Sequence, residues 1–164
     1  MKEMYQLLWT ENDHVLLFLR VIAGGIIFPY GMQKLFGWFG NFGGGAGIKQ
    51  SLAQLHAKGI PKALGWLIIL GQSLGSVALI TGFMGRFAAA ANFVIFTGAM
   101  LVHLRDGWTL NWLGKKKGEG IEYFILLLSL LLVVAIKGSG AFSFDLWLIE
   151  CPAKGWAFYK PFAG

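Results

Sequence analysis

The chain is expected to form an all-α, integral membrane bundle of four antiparallel helices, with a short interfacial helix between the first two spans. Three observations carry that expectation. Hydrophobic residues make up 56% of the 164 residues and charged residues only 13%, against about 25% charged in a typical soluble domain. A folded chain this small has too much surface for so few charges to cover in water. The apolar residues gather into four blocks, near 15–31, 64–84, 87–104 and 121–136, each close to the length that crosses a bilayer as a helix.

The first block, Val15–Gly31, follows the acidic run Glu11-Asn12-Asp13. A cleavable leader needs a basic start, so this block reads as a retained span. It ends on Tyr30, Gln33 and Lys34 and runs into LFGWFGNFGGGAG, a stretch of glycines and aromatics. Within 48–63, Ile48, Leu52 and Leu55 fall at helical spacing while Lys49, Gln50, Gln54 and Lys58 fall elsewhere. That pattern predicts a short amphipathic helix at the interface. Gly59-Ile60-Pro61 ends it, and Pro61 is placed to open the second span. Thr81-Gly82-Phe83-Met84-Gly85-Arg86 is a tight hairpin into the third span. Gly71-x-x-x-Gly75 and Ala88–Ala91 let helices approach closely, either within the chain or in a homo-oligomer. Tyr123 and Lys137 bound the fourth span, and Trp66, Trp108 and Trp112 fall near span ends as an aromatic belt requires. Residues 1–146 thus form the four-span membrane domain, and WLIECPAKGWAFYKPFAG, residues 147–164, an interfacial extension.

The net charge of +6 does not point to nucleic acid, because the basic residues lie between apolar blocks. Lysines at membrane ends meet anionic lipid and orient the chain. With both termini on one side, the side of the first and third loops carries Lys34, Lys49, Lys58, Lys62, Arg105 and Lys115–Lys117. The terminal side carries Lys2, Arg86, Lys137, Lys154 and Lys160. Eight against five places those loops in the cytoplasm of a multi-pass plasma-membrane protein. Cys151 is the single cysteine, which excludes a dithiol relay within the chain. The glycine run lacks the G-x-x-x-x-G-K-[ST] of a phosphate loop.

Connectivity brings the ends of the first and third spans and the start of the fourth to one rim. Tyr30, Gln33, Lys34, His103 and Glu122 share that depth. Each has a structural explanation: Lys34 snorkels, His103 caps carbonyls, and Glu122 suits a helix N-terminus. Together they also suit a polar pocket under an apolar roof. There Gln33, His103, Tyr30, Lys34 and the mid-span Gln72 hold a quinone or anionic substrate, while His103 and Glu122 handle protons. No metal site is expected, since His103 and Glu122 lack a comparable third ligand. Arg20 and Asn92 lie within spans, and an Arg20–Asp145 or Arg86–Asp145 ion pair is expected to close the opposite end.

The order of these features resembles the DoxX family of small four-helix membrane proteins. The resemblance is carried by LRVIAGGIIFPYGMQKLFG (Leu19–Gly37), the 59–61 GIP, LITGFMGRFAAA (Leu79–Ala90), His103, Gly118-x-Gly-x-Glu122 and GSGAFSFD (Gly138–Asp145). Two positions depart from the pattern: Tyr30 stands where many members have histidine, and Gln72 where many have glutamate. Neither exchanges protons readily near neutral pH. The resemblance implies a subunit of a membrane redox complex, quinone-interacting as in thiosulfate:quinone oxidoreduction, with a partner subunit supplying electrons. The alternative is a non-catalytic scaffold that recruits a soluble redox or stress-response enzyme through the Lys115-Lys116-Lys117 loop. The residues leave open whether the chain is itself an enzyme.

Overall fold

A computed structural model describes residues 8–39, 47–111, 114 and 120–149. The triple-lysine loop, Trp112, Cys151 and all but the first three residues of the expected extension lie outside the described residues. The elements are α1 (His14–Phe36), α2 (Ile48–Ala57), α3 (Lys62–Thr81), α4 (Gly85–His103) with a 3-10 turn over Leu104–Asp106, and α5 (Glu122–Lys137). A last helical turn occupies 144–149.

α1 starts where Asp13 accepts the Val15 amide at 2.7 Å, a side-chain cap for one otherwise unpaired donor. The helix does not stop near Gly31. It runs through Gln33 and Lys34 until Gly37, whose φ of 77° only glycine adopts without cost. Pro29 lies inside it and removes one helical bond without ending the helix, as membrane helices tolerate. α2 is the expected short helix between the first two spans, and Pro61 sits just before α3 as its cap residue. Gly82, with φ 69°, turns the chain after α3, and three residues later α4 begins.

The four long helices run up-down-up-down. Gly31 of α1 meets Gln72 and Ser73 of α3, while Gly24 meets Ser76, Leu79 and Ile80. Gly71 and Gly75 of α3 meet Ile95 and Asn92 of α4. His103 at the end of α4 stacks on Phe124 at the start of α5, and Arg20 reaches Ser139 just beyond α5. The helices therefore form a square in which α1 and α4 stand diagonally opposite, each packed on α3 and α5. Their shared core contains Ala23, Ile27, Leu79, Ala89, Phe96, Leu127, Leu131 and Val134.

The outside of the bundle is apolar, and charged and polar side chains are buried within it. Leu67, Phe87 and Val94 are 65%, 70% and 71% exposed, whereas Arg20 and Asn92 are 1% and 0% exposed. Water would not tolerate that arrangement, and lipid requires it. His14–Phe36, Lys62–Thr81 and Gly85–Asp106 are each long and apolar enough to cross a membrane. The protein is a multi-pass membrane protein in contact with the bilayer. α5, with 16 residues, rises about 24 Å and completes the bundle.

Small residues set the spacing of α3 and α4. The Gly71-x-x-x-Gly75 face is used inside the chain: a Cβ at Gly75 would collide with the Asn92 amide nitrogen. That nitrogen donates to Gly71 O at 3.1 Å and Ala88 O at 2.9 Å, tying α3 to α4.

Candidate functional site

At the terminal end the polar residues are built into helix ends. The Arg20 guanidinium spends five N–H groups on five carbonyls. Nε donates to Ser139 O at 2.6 Å; Nη1 to Leu79 O at 2.9 Å and Ile80 O at 2.5 Å; Nη2 to Ala141 O at 3.2 Å and Phe142 O at 2.9 Å. These are carbonyls of the last turn of α3 and of the turn after α5, which have few helical donors of their own. Asp145 accepts the Met84 and Gly85 amides at 2.7 and 2.9 Å and the Ser139 hydroxyl at 2.5 Å. It caps the start of α4, where a carboxylate meets the positive end of the helix. The expected ion pair is therefore corrected: Arg20 and Asp145 share Ser139 as a neighbour but form no direct salt bridge. Arg86 donates instead to Trp9 O and Lys137 O at 3.1 and 3.3 Å. Backbone carbonyls at helix ends outcompeted the carboxylate because they are fixed in place and have few helical donors. Asp145→Ala is expected to cost about 2 kcal/mol through the lost cap, read as a lower unfolding midpoint in detergent; an unchanged midpoint would contradict the role.

The rim divides into two halves. On the α1–α3 side, Lys34 Nζ donates to Gln72 Oε1 at 2.6 Å. Gln72 is 4% exposed and stands ten residues into α3, so the amine turns inward and does not snorkel. Gln33 is buried, and its carbonyl accepts the Gly37 and Gly47 amides at 2.8 and 2.9 Å. It thereby anchors both ends of the glycine-rich segment. Ser51 of α2 donates to Lys34 O at 3.4 Å, and Ser73 to Gly31 O at 2.9 Å.

On the α4–α5 side, His103 Nδ1 lies 2.7 Å from Asp106 Oδ2, in the 3-10 turn that follows α4. The imidazole stacks on Phe124 at 5.5 Å and 20°. Phe124 meets Tyr123 edge-on at 5.4 Å, and the Tyr123 phenol is close enough to Tyr30 on α1 to interact electrostatically. The Tyr123 hydroxyl is buried with no hydrogen-bond partner among the described residues. Glu122 does not pair with His103 among the described residues. Its Oε2 accepts the Leu110 amide at 3.4 Å, and its own amide donates to Trp108 O at 3.0 Å, so it pins the loop over the start of α5.

The structure thus joins Lys34 to Gln72 and places His103 and Glu122 on separate partners. Asp106 and Tyr123 are the residues that sequence reasoning missed as site members. Asp106 carried a signal, since i and i+3 meet on a helical turn. Tyr123 was read only as an interface anchor.

The family model for DoxX matches residues 15–105, more than half of the chain. The chain belongs to the DoxX family. No curated protein and no solved structure matches it. The matched segment of this DoxX protein holds α1 to α4, and with them Tyr30, Gln33, Lys34, Gln72 and His103. Glu122, Tyr123 and Asp145 lie beyond the match. The Gly-x-Gln-Lys-Leu-Phe-Gly stretch is accordingly a helix end whose glycine packs on α3, whose glutamine carbonyl receives the returning loop, and whose lysine enters the bundle.

Proposed function

We propose that this DoxX protein is a quinone-interacting subunit of a redox complex in the prokaryotic plasma membrane, with the quinone head held at the rim beside α5. The observation that carries the reading is the buried, unpartnered Tyr123 hydroxyl one ring away from the His103–Asp106 pair. A buried hydroxyl without a partner costs free energy, and a carbonyl acceptor placed there recovers it. The stacked His103 and Phe124 rings form an aromatic wall beside that hydroxyl.

Quinone, when bound, accepts two electrons and two protons. Within this chain His103 is the rim residue whose ring can both accept and donate a proton. Asp106 orients the imidazole through the 2.7 Å contact to Nδ1, and Glu122 holds the loop over the start of α5. Gln33, Lys34 and Gln72, on the other half of the rim, hold the substrate that donates electrons or the far quinone carbonyl. A partner subunit supplies the electrons.

Tyr123→Phe separates this reading from a purely structural one. The variant removes a hydroxyl that bonds nothing among the described residues, so its stability is expected to match or exceed wild type. Quinone co-extracted from native membranes is expected to fall about tenfold, the worth of one good hydrogen bond to a ligand. His103→Ala is expected to remove quinone-dependent turnover. Wild-type protein that carries no quinone, or a Tyr123→Phe variant that retains it fully, would leave the recruiting scaffold as the better account.

A further inference from the structure

Two hydrogen-bonding groups stand on the lipid-facing surface of the bundle, well below the rim. The first is the carbonyl of Gly25. Pro29 lies four residues on, inside α1, and a proline has no N–H to donate to the carbonyl four residues before it. Among the described residues no side chain, loop or other helix donates to Gly25 O. Gly25 is exposed, and a Cβ added to it would meet nothing within 4 Å. The acceptor therefore lies open on the outer face of α1. The second group is Ser129, the one polar residue between Tyr123 and Lys137. It is exposed on α5, and its hydroxyl donates to Ile125 O at 2.8 Å. The Ser129 amide already serves that carbonyl in the helix, so the hydroxyl's bond is redundant.

A carbonyl without a donor costs free energy in hydrocarbon, where neither water nor lipid tails supply one. The two groups complement each other: one is an acceptor without a donor, the other a donor with a bond to spare. Their depths also agree. Ser129 lies seven residues beyond Glu122, and Gly25 nine residues before Lys34. From the rim these are depths of about 10 and 13 Å along the helices. The Gly25 carbonyl points along α1 toward the rim, which narrows the difference. Equal depth is what rotation about the membrane normal requires, because it carries each group to its own level in the next copy. The open space at Gly25 lets another helix come close enough for the bond.

We infer that α1 of one copy of this chain docks on α5 of a second copy, the Ser129 hydroxyl of one donating to the Gly25 carbonyl of the other. Phe18 and Val21 on α1, and Ile125, Leu126 and Val133 on α5, are exposed beside the two groups and supply the apolar contact. The contact is head-to-tail, and rotation about the membrane normal closes it into a ring. The inference goes beyond the proposed function and needs neither a quinone at the rim nor an electron-supplying subunit.

The test places the full chain in phosphatidylcholine vesicles, with donor and acceptor fluorophores fused to separate copies. Energy transfer is followed as added lipid dilutes the protein. Ser129→Ala is expected to weaken association about fivefold, the worth of one hydrogen bond between helices. Pro29→Ala returns an N–H to Gly25 O; it is expected to weaken association about as much while raising the unfolding midpoint of the chain. Gly25→Leu fills the approach and is expected to abolish association, and the open space around Gly25 lets that variant fold. Val94→Ala, on the exposed face of α4, leaves association within a factor of about two. Cross-linking in a Cys151→Ser background reads the geometry. Val21→Cys copies mixed with Val133→Cys copies are expected to form a disulfide that neither variant forms alone. Wild type that shows no association, association indifferent to both Ser129→Ala and Pro29→Ala, or a disulfide formed by Val21→Cys alone would overturn the proposal.

Discussion

Arg20→Met is expected to destabilise the bundle by more than about 4 kcal/mol, the exceptional range for a single substitution. The methionine fills most of the space but leaves five carbonyl oxygens without their donor. Three of them, on Ser139, Ala141 and Phe142, lie in a turn between helical segments, where no helical donor replaces the guanidinium. The same five bonds fasten α1 to the end of α3 and to the chain after α5. Their loss frees the whole terminal end at once. Arg20→Lys keeps the charge but has three donors on one nitrogen, so it is expected to recover only part of the stability. Unfolding in mixed detergent micelles with rising SDS measures both variants. An Arg20→Met variant whose stability stays within about 1 kcal/mol of wild type would show that the carbonyls find other partners.

Gly31→Val is the second large effect. A Cβ at residue 31 would lie 2.7 Å from the Gln72 carbonyl oxygen and 2.8 Å from the Ser73 Cα. Both neighbours are backbone in the middle of a helix, so neither yields by a rotamer change. α1 and α3 must separate, at a cost of about 3 kcal/mol or more. The separation also draws Lys34 away from Gln72 and Ser73 away from Gly31 O. Gly25 supplies the control on the same helix: nothing lies within 4 Å of its added Cβ. Gly25→Ala is expected to be neutral or to stabilise by up to about 1 kcal/mol, through helix propensity. Equal thermal midpoints for the two variants would remove close packing as the reason for Gly31.

Much of the fold was legible because lipid imposes a coarse rule on composition. Four apolar blocks, a Gly-Ile-Pro stop and a six-residue hairpin sufficed to place four long helices and the interfacial α2. The ends were less legible. α1 runs five residues past Gly31, because Gln33 and Lys34 are polar groups inside a helix and not the start of a loop. Polarity was taken as a boundary where burial against α3 allowed it to continue. The site was read at the level of depth but not of partners. That Tyr30, Lys34, His103 and Glu122 gather toward one rim follows from connectivity. Which of them touch depends on the square arrangement, which sets α1 and α4 on a diagonal and splits the rim into two halves.

By itself the sequence determined the solvent of this protein and the order of its long apolar helices. These depend on composition and on the order of blocks along the chain, and both are local properties. The tertiary structure alone decided that Arg20 serves five carbonyls and not Asp145, that Asp145 caps α4, that His103 answers to Asp106, and that Lys34 turns inward to Gln72. Each of those choices was a competition between partners at similar depth. Helix rotation and crossing settle such a competition at the scale of single ångströms, and neither is written in the spacing of residues along one chain.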